Sequence, residues 1–219
     1  MGDDLDPPWA MQLAIRVEKA DPPGHRAACA ATAMAVVELL TDVRAADPEG
    51  EWYEAVRTWE DARIRKVARR ARGVRWPEAQ KVPGVTVEYA GAQARAFVPG
   101  PVDEVPPEIS RLQVAGTDLA DEGPLPVPGT RPYAVIALNP EVTMTTGKAA
   151  AQSGHAAQLL LRQGDPALVQ DWLAAGAVVL VERDVPWREC VRRATVAVRD
   201  AGFTEVPPGT MTAIAWISH

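Results

Sequence analysis

A chain of 219 residues that is 47% apolar can bury one large core or two small ones. Its net charge of −6 argues against blanket affinity for nucleic acid, so any such affinity must come from a local patch. Two cysteines, Cys29 and Cys190, make no disulfide framework. The acidic start MGDDLDPPWAM has no basic and apolar leader, and no apolar run reaches bilayer length, so the expectation is a cytoplasmic protein without membrane contact.

In chain order, Met11–Lys19 (MQLAIRVEK) reads as a strand, Gly24–Leu40 (GHRAACAATAMAVVELL) as a helix and Glu51–Ala62 (EWYEAVRTWEDA) as a second helix. Ile64–Gly73 stands where a further strand belongs, Arg75–Lys81 where a short helix belongs, and VTVEYAG with ARAFV supply the last strands. From Val98 to Pro132 proline and glycine recur every few residues, which predicts a linker with little regular structure. Beyond it the order of signals returns. RPYAVIALN is a buried strand, TTGKAAAQSGHAAQLLL a helix, and DPALVQDWLAAG a helix ending at Gly176. AVVLVE is an apolar strand, PWRECVRRA a short helix, and TVAVRDAG and MTAIAWI strands.

The agreement predicts an internal duplication: a domain at 9–98, a linker at 99–131 and a second domain at 132–219. Setting Arg26 against Lys148 aligns the two long helices and brings Trp59 opposite Trp172. The fold class that follows is α/β, two similar domains in three-layer-like form, each a small mixed sheet flanked by helices, in a pseudo-two-fold arrangement.

On the second long helix Lys148, Gln152 and His155 fall at relative angles of about 0°, 40° and −20°, one polar stripe against an arc of alanine and leucine. The stripe is either a solvated face or a site. In the first helix the aligned residues are Arg26, Ala30 and Ala33, so the full stripe exists once. TTGK is not a nucleotide-binding loop, because Val142 stands where the first glycine would and Ala149 where a magnesium-holding hydroxyl would. It still offers a helix start, capped by Thr145 or Thr146, that suits an anion. His155 has no companion ligands at metal spacing on its helix, so no metal or other cofactor is expected.

Ala62–Arg75 (ARIRKVARRARGVR) carries seven cations and no carboxylate, with Trp59 and Trp76 beside it for base stacking. It is either a charged edge strand protected from aggregation or an electrostatic footprint for a nucleic-acid backbone. In RDAGFTEVPPGTMT, Asp200, Thr204 and Thr212 punctuate a turn at a strand end, where catalytic groups are often carried.

MTTGKAAAQSGHAAQ followed by DAGFTEVPPGTMT resembles the type II peptidyl-tRNA hydrolase family, whose pattern is GK-x-AAQ-x-x-HA on the first helix and DAG-x-T-x-x-x-PG-x-x-T near the C-terminus. The resemblance covers Pro132 to His219 and reaches Trp9 to Val98 only as a degenerate echo. It implies functional polar positions at Lys148, Gln152, His155, Asp200, Thr204 and Thr212, a metal-free reaction and a homodimeric habit. A duplicated chain would carry its partner within itself and be a monomeric pseudodimer. Asn139 and Thr146 stand where the family usually has basic residues, and Glu141 where it has aspartate.

The implied function is cleavage of the ester between a peptide and the 3′ ribose of tRNA. Lys148, Gln152, His155, Asp200 and Thr204 are the expected catalytic residues, with the base either His155 or Asp200. Asp200 is expected to orient His155 or raise its basicity. Thr212, Gly147, Arg63, Arg69, Arg70 and Arg72 are the expected substrate-binding residues. The alternatives are a non-catalytic RNA-binding or scaffold pseudoenzyme, and a hydrolase of a different acyl-tRNA or ester.

Overall fold

A computed structural model describes residues 7–202 and 205–218; Thr204 lies outside them. Two mixed sheets enclose a pair of long helices. In the first sheet, β1 (Trp9–Arg16) runs parallel to β2 (Arg65–Ala71) and antiparallel to β4 (Ala92–Phe97), which pairs antiparallel with β3 (Gly84–Tyr89). A short β5 (Gly100–Pro101) continues along the start of β1. In the second sheet, β6 (Tyr133–Leu138) runs parallel to β7 (Val179–Glu182) and antiparallel to β9 (Met211–Ser218), which pairs antiparallel with β8 (Val196–Arg199). The orders are β2-β1-β4-β3 and β7-β6-β9-β8, so strand order and direction are the same in both halves.

Register makes the equivalence residue-specific. Leu13 stands opposite Ala96, which faces Val85; Ile136 stands opposite Ala215, which faces Val196. Following each ladder outward, Lys66 opposite Met11 corresponds to Val179 opposite Ala134. Trp59 and Trp172, on helices α3 (Tyr53–Asp61) and α7 (Pro166–Ala174), are both fully buried. Each indole donates to the backbone carbonyl six residues on, Arg65 O at 3.0 Å and Val178 O at 2.9 Å, and so ties its helix to the start of the parallel strand.

Helices α1 (His25–Thr41) and α6 (Thr146–Gln163) pack on one another between the sheets. Helix α1 lies on β3 and β4 of its own half and on β7 of the other, while α6 lies on β8 and β9 and on β2. Helix α1 is buried almost all round, which is why it reads as apolar all round rather than as amphipathic. At Gly154 the helices approach closely: a Cβ there would lie 3.2 Å from a Val36 methyl. One apolar cluster joins Met11, Leu13 and Ile15 to Ile136, Leu160 and Ala213, so the halves share a core. The outer faces are covered by α4 (Arg75–Ala79) and α5 (Pro107–Ser110) on the first sheet and by α8 (Trp187–Arg193) on the second. The remaining short helix, α2 (Val43–Ala46), leads from α1 towards α3.

The segment expected to be an irregular linker contains β5 and α5 and then crosses the starts of both long helices. Ala120 O accepts from His25 N at 2.9 Å, Thr117 O from Gly147 N at 3.1 Å, and the Asp121 carboxylate takes two bonds from Arg26. A chain rich in proline and glycine makes poor ladders, yet its carbonyls can satisfy the orphan N–H groups of helix starts. Among the described residues no helix is long and apolar enough to cross a membrane.

Candidate active site at the end of strand β8

Thr145 is the N-cap of α6, its hydroxyl accepting from Lys148 N at 3.3 Å. That start places Lys148 and Gln152 one turn apart, about 6 Å along the axis, close enough for both side chains to reach one carboxylate. The carboxylate is Asp200, which follows the last residue of β8 and is 7% exposed. Its Oδ2 accepts from Lys148 Nζ and, at 2.7 Å, from Gln152 Nε2; its Oδ1 accepts from Gly202 N at 2.8 Å. Thr212, fully buried on β9, donates to Gln152 Oε1 at 2.9 Å. A carboxylate only accepts, so Gln152 must turn its NH2 to Asp200 and its oxygen to Thr212. The result is a directed chain, Thr212 to Gln152 to Asp200, closed by the Lys148 ammonium, with its hydrogen bonds made inside the protein.

The loop after β8 is folded back by its own backbone. Asp200 N donates to Thr210 O at 2.9 Å and Gly209 N to Asp200 O at 2.7 Å. Gly202 has φ +81°, and a Cβ on it would sit 2.7 Å from Pro208. Only glycine fits both the backbone and the space.

The stripe read from the sequence divides along its length. His155 lies seven residues after Lys148, about 10 Å along the axis. Its described partner is not Asp200 but Lys66 of β2, whose Nζ is 3.3 Å from Nδ1. The expectation that Asp200 orients His155 is therefore replaced by a contact from the other half of the chain. Burial, then the charges of Lys66 and Lys148, push the imidazole well below its ordinary pKa, so it is neutral near pH 7. Burial likewise holds Lys66 well below the usual lysine range, opposed by Glu60.

The start of α6 is not an open anion cradle. Gly147 N is taken by Thr117 O, and Glu205 receives both Thr145 N at 2.8 Å and the Thr145 hydroxyl at 2.7 Å. Gly147 therefore has no backbone donor to give a substrate, contrary to expectation. Thr146 and Asn139, at positions where basic residues were looked for, hold backbone instead. Thr146 Oγ1 accepts from Leu119 N at 2.9 Å and meets His25 Nδ1, while Asn139 bonds Met211 O and Glu141 N.

The basic stretch forms β2, the edge of its sheet. Arg63 and Arg72 are exposed. Arg69 bonds Gln12 at 2.8 Å and Leu112 O, Arg70 bonds Gln113, and Arg75 pairs with Glu78 at 3.0 Å. Arg70 and Arg72 open on a groove of about 240 Å³ that also holds Glu18, Asp118 and Glu122, so its charge is mixed. Trp59 and Trp76 are buried, which removes them as stacking platforms. The residues that sequence reasoning missed are Glu60, Lys66, Gln158 and Glu205. The available signal was positional: Lys66 and Gln158 are polar where the matching places, Val179 and Val36, are apolar.

Among the described residues no group of three or more His, Cys, Asp or Glu is placed to hold a metal ion. No family model matches the chain. A peptidyl-tRNA hydrolase of Pyrobaculum aerophilum is 38% identical over 93 residues, a match covering 36% of this chain and 78% of the relative. A peptidyl-tRNA hydrolase of Methanocaldococcus jannaschii is 33% identical over 93 residues, covering 37% of this chain and 81% of the relative. With both relatives covered over most of their length, and with the GK-x-AAQ helix and the DAG loop meeting in one buried cluster, the chain belongs to the type II peptidyl-tRNA hydrolase family.

Proposed function

We propose that the chain hydrolyses peptidyl-tRNA, cleaving the ester between the peptide carboxyl group and the 3′ ribose of tRNA without a metal. The observation that carries this reading is the buried group in which Asp200 receives Lys148 and Gln152 while Thr212 locks the amide. Ester hydrolysis needs an activated water, stabilisation of the oxyanion and a proton for the leaving ribose oxygen. Asp200 orients the water and accepts its proton. Lys148, beside it, faces the developing negative charge and returns a proton to the ribose oxygen. Gln152, unable to flip, fixes the carboxylate. A neutral His155 is a hydrogen-bond donor rather than the base, and the family pattern assigns Thr204 to positioning the water.

The N-terminal half is, in this proposal, a degenerate copy that replaces a dimer partner. The identical strand orders, the matched tryptophan bonds and the reciprocal seating of α1 and α6 support it. By register, Tyr89 stands at the place of Asp200 and Gln93 at that of Thr212, while a tight turn at Ala90-Gly91 replaces the 201–210 loop. The exposed Arg63 and Arg72, with Arg69 and Arg70 in support, would meet tRNA phosphates.

The test is release of free tRNA from a peptidyl-tRNA mimic by the full chain, with and without chelator, beside Asp200→Asn. Release that survives chelation and falls about a hundredfold in the variant is expected. Near-normal release by the variant sinks the assignment of the site, and loss on chelation sinks the metal-free chemistry.

A further inference from the structure

The N-terminal half lacks the cluster around Asp200, yet one of its side chains crosses to α6. Lys66 Nζ donates to Gln158 Oε1, lies 3.3 Å from His155 Nδ1 and stands 4.7 Å from the centre of the Trp59 ring. The direction of these bonds is fixed from outside. Glu60 takes Gln158 Nε2 at 3.0 Å and is itself held by Arg162 at 3.0 and 3.1 Å. Because the Glu60 carboxylate can only accept, the Gln158 oxygen must face Lys66, and Lys66 must be the donor. A further N–H of Lys66, present in the amine as in the ammonium, is then available to His155 Nδ1, and a ring that accepts there carries its proton on Nε2. Among the described residues no protein group bonds Nε2.

The arrangement is one-sided. Helix α1 packs on β7 as α6 packs on β2, but there Val179 takes the place of Lys66, and Ala33 and Val36 take those of His155 and Gln158. Simple burial of the interface is met by the apolar version. The polar version occurs only on the helix that carries Lys148 and Gln152.

We propose that Lys66 is a positioning residue for the active site, supplied by the half that has no site: it holds His155 as the Nε2–H tautomer, leaving that N–H to donate to the acyl-tRNA ester or its terminal ribose. The depressed basicity of His155 supports this role, since a ring that stays neutral keeps one tautomer across the working pH range. The inference rests on the ester-hydrolase reading for its consequence, though not for its geometry.

The experiment uses the full chain labelled with 15N at histidine. The expected spectrum shows His155 with an unprotonated Nδ1, a protonated Nε2 and no titration through neutral pH. Lys66→Met should give a mixed or titrating ring and lower kcat about ten- to hundredfold with little change in KM, as loss of a held geometry does. Lys66→Arg, which keeps a donor, should restore much of both. A wild-type ring protonated at Nδ1 overturns the proposal whatever the fate of Lys66→Met, and so does a ring that changes in the variant while kcat does not. If the wild-type chain releases no tRNA at all, the ester-hydrolase reading fails, while the spectrum still decides whether Lys66 sets the ring.

Discussion

The two halves of the chain share strand order, strand direction and a buried tryptophan bonded in the same way, and they differ almost wherever chemistry is carried. Arg26, at the place of Lys148, is 4% exposed and paired with Asp121 and Asp184, a cation closed off by the crossing segment. Lys148 is paired with a carboxylate just past the end of β8. Ala30 and Ala33 pack where Gln152 and His155 make polar bonds. The comparison teaches that framework and site are separable in this fold: alanine satisfies the packing of the long helix, so polar residues there need another reason.

The sharpest way to break this comparison is to cut the chain. A fragment from about residue 130 would expose the faces of α6 and β7 that α1 and β2 cover, and by size-exclusion chromatography it should aggregate or pair with itself. A well-behaved monomer would mean that the shared core is not needed to close the second half. Next in size, Asp200→Asn should lower hydrolysis about a hundredfold while circular dichroism stays native, whereas Tyr89→Phe in the other half should leave the rate unchanged. Equal losses would erase the distinction between the halves.

A smaller effect is expected from Gly202→Ala, which forces a side chain into positive φ and against Pro208, at a cost of about 1–3 kcal/mol read by chemical denaturation. Gly91→Ala, also at positive φ (+79°) but in open space, should cost less.

His155 predicts a pH effect. Its folded pKa lies below the unfolded value of 6.5, so the unfolded chain binds the extra proton first. Stability should therefore fall as the pH drops below about 6.5 towards the folded pKa, and His155→Ala should flatten that slope. A slope unchanged in the variant would show that other groups dominate. The smallest effect concerns the edge strand: Arg63→Ala with Arg72→Ala should reduce the salt dependence of tRNA binding by about one unit per lost phosphate contact. An unchanged salt slope would leave β2 as a charged edge and nothing more.

Several of these features were legible in the residues. Alternation in MQLAIRVEK, the apolar run YAVIAL and the punctuated helices are local signals, and each element formed where they pointed. The pairing of Trp59 with Trp172 needed only an alignment. The spacing of Lys148 and Gln152 put both on one face, and the DAG motif supplied a carboxylate at a strand end.

Three things were decided only when the chain closed. A helical wheel reports angle around the axis and says little about distance along it, so it grouped His155 with Lys148, about 10 Å away, and Gln152, about 4.5 Å away, whose shared partner lies elsewhere. A proline-rich composition predicts poor ladders, which is a statement about N–H donors; it does not foretell that the carbonyls of Thr117 and Ala120 would meet the starts of two helices. A basic run is a charge count, and whether each cation faces water, a neighbouring side chain or the opposite half is set by the sheet face on which it lands. Alternation along β2 turned Lys66 towards α6 and Arg69 to the other face, because successive side chains of a strand point to opposite sides. The sequence by itself determined the long helices and the sheet strands of both halves, their order and the residues able to do chemistry. Which of those residues meet was left to contacts between positions far apart in the chain.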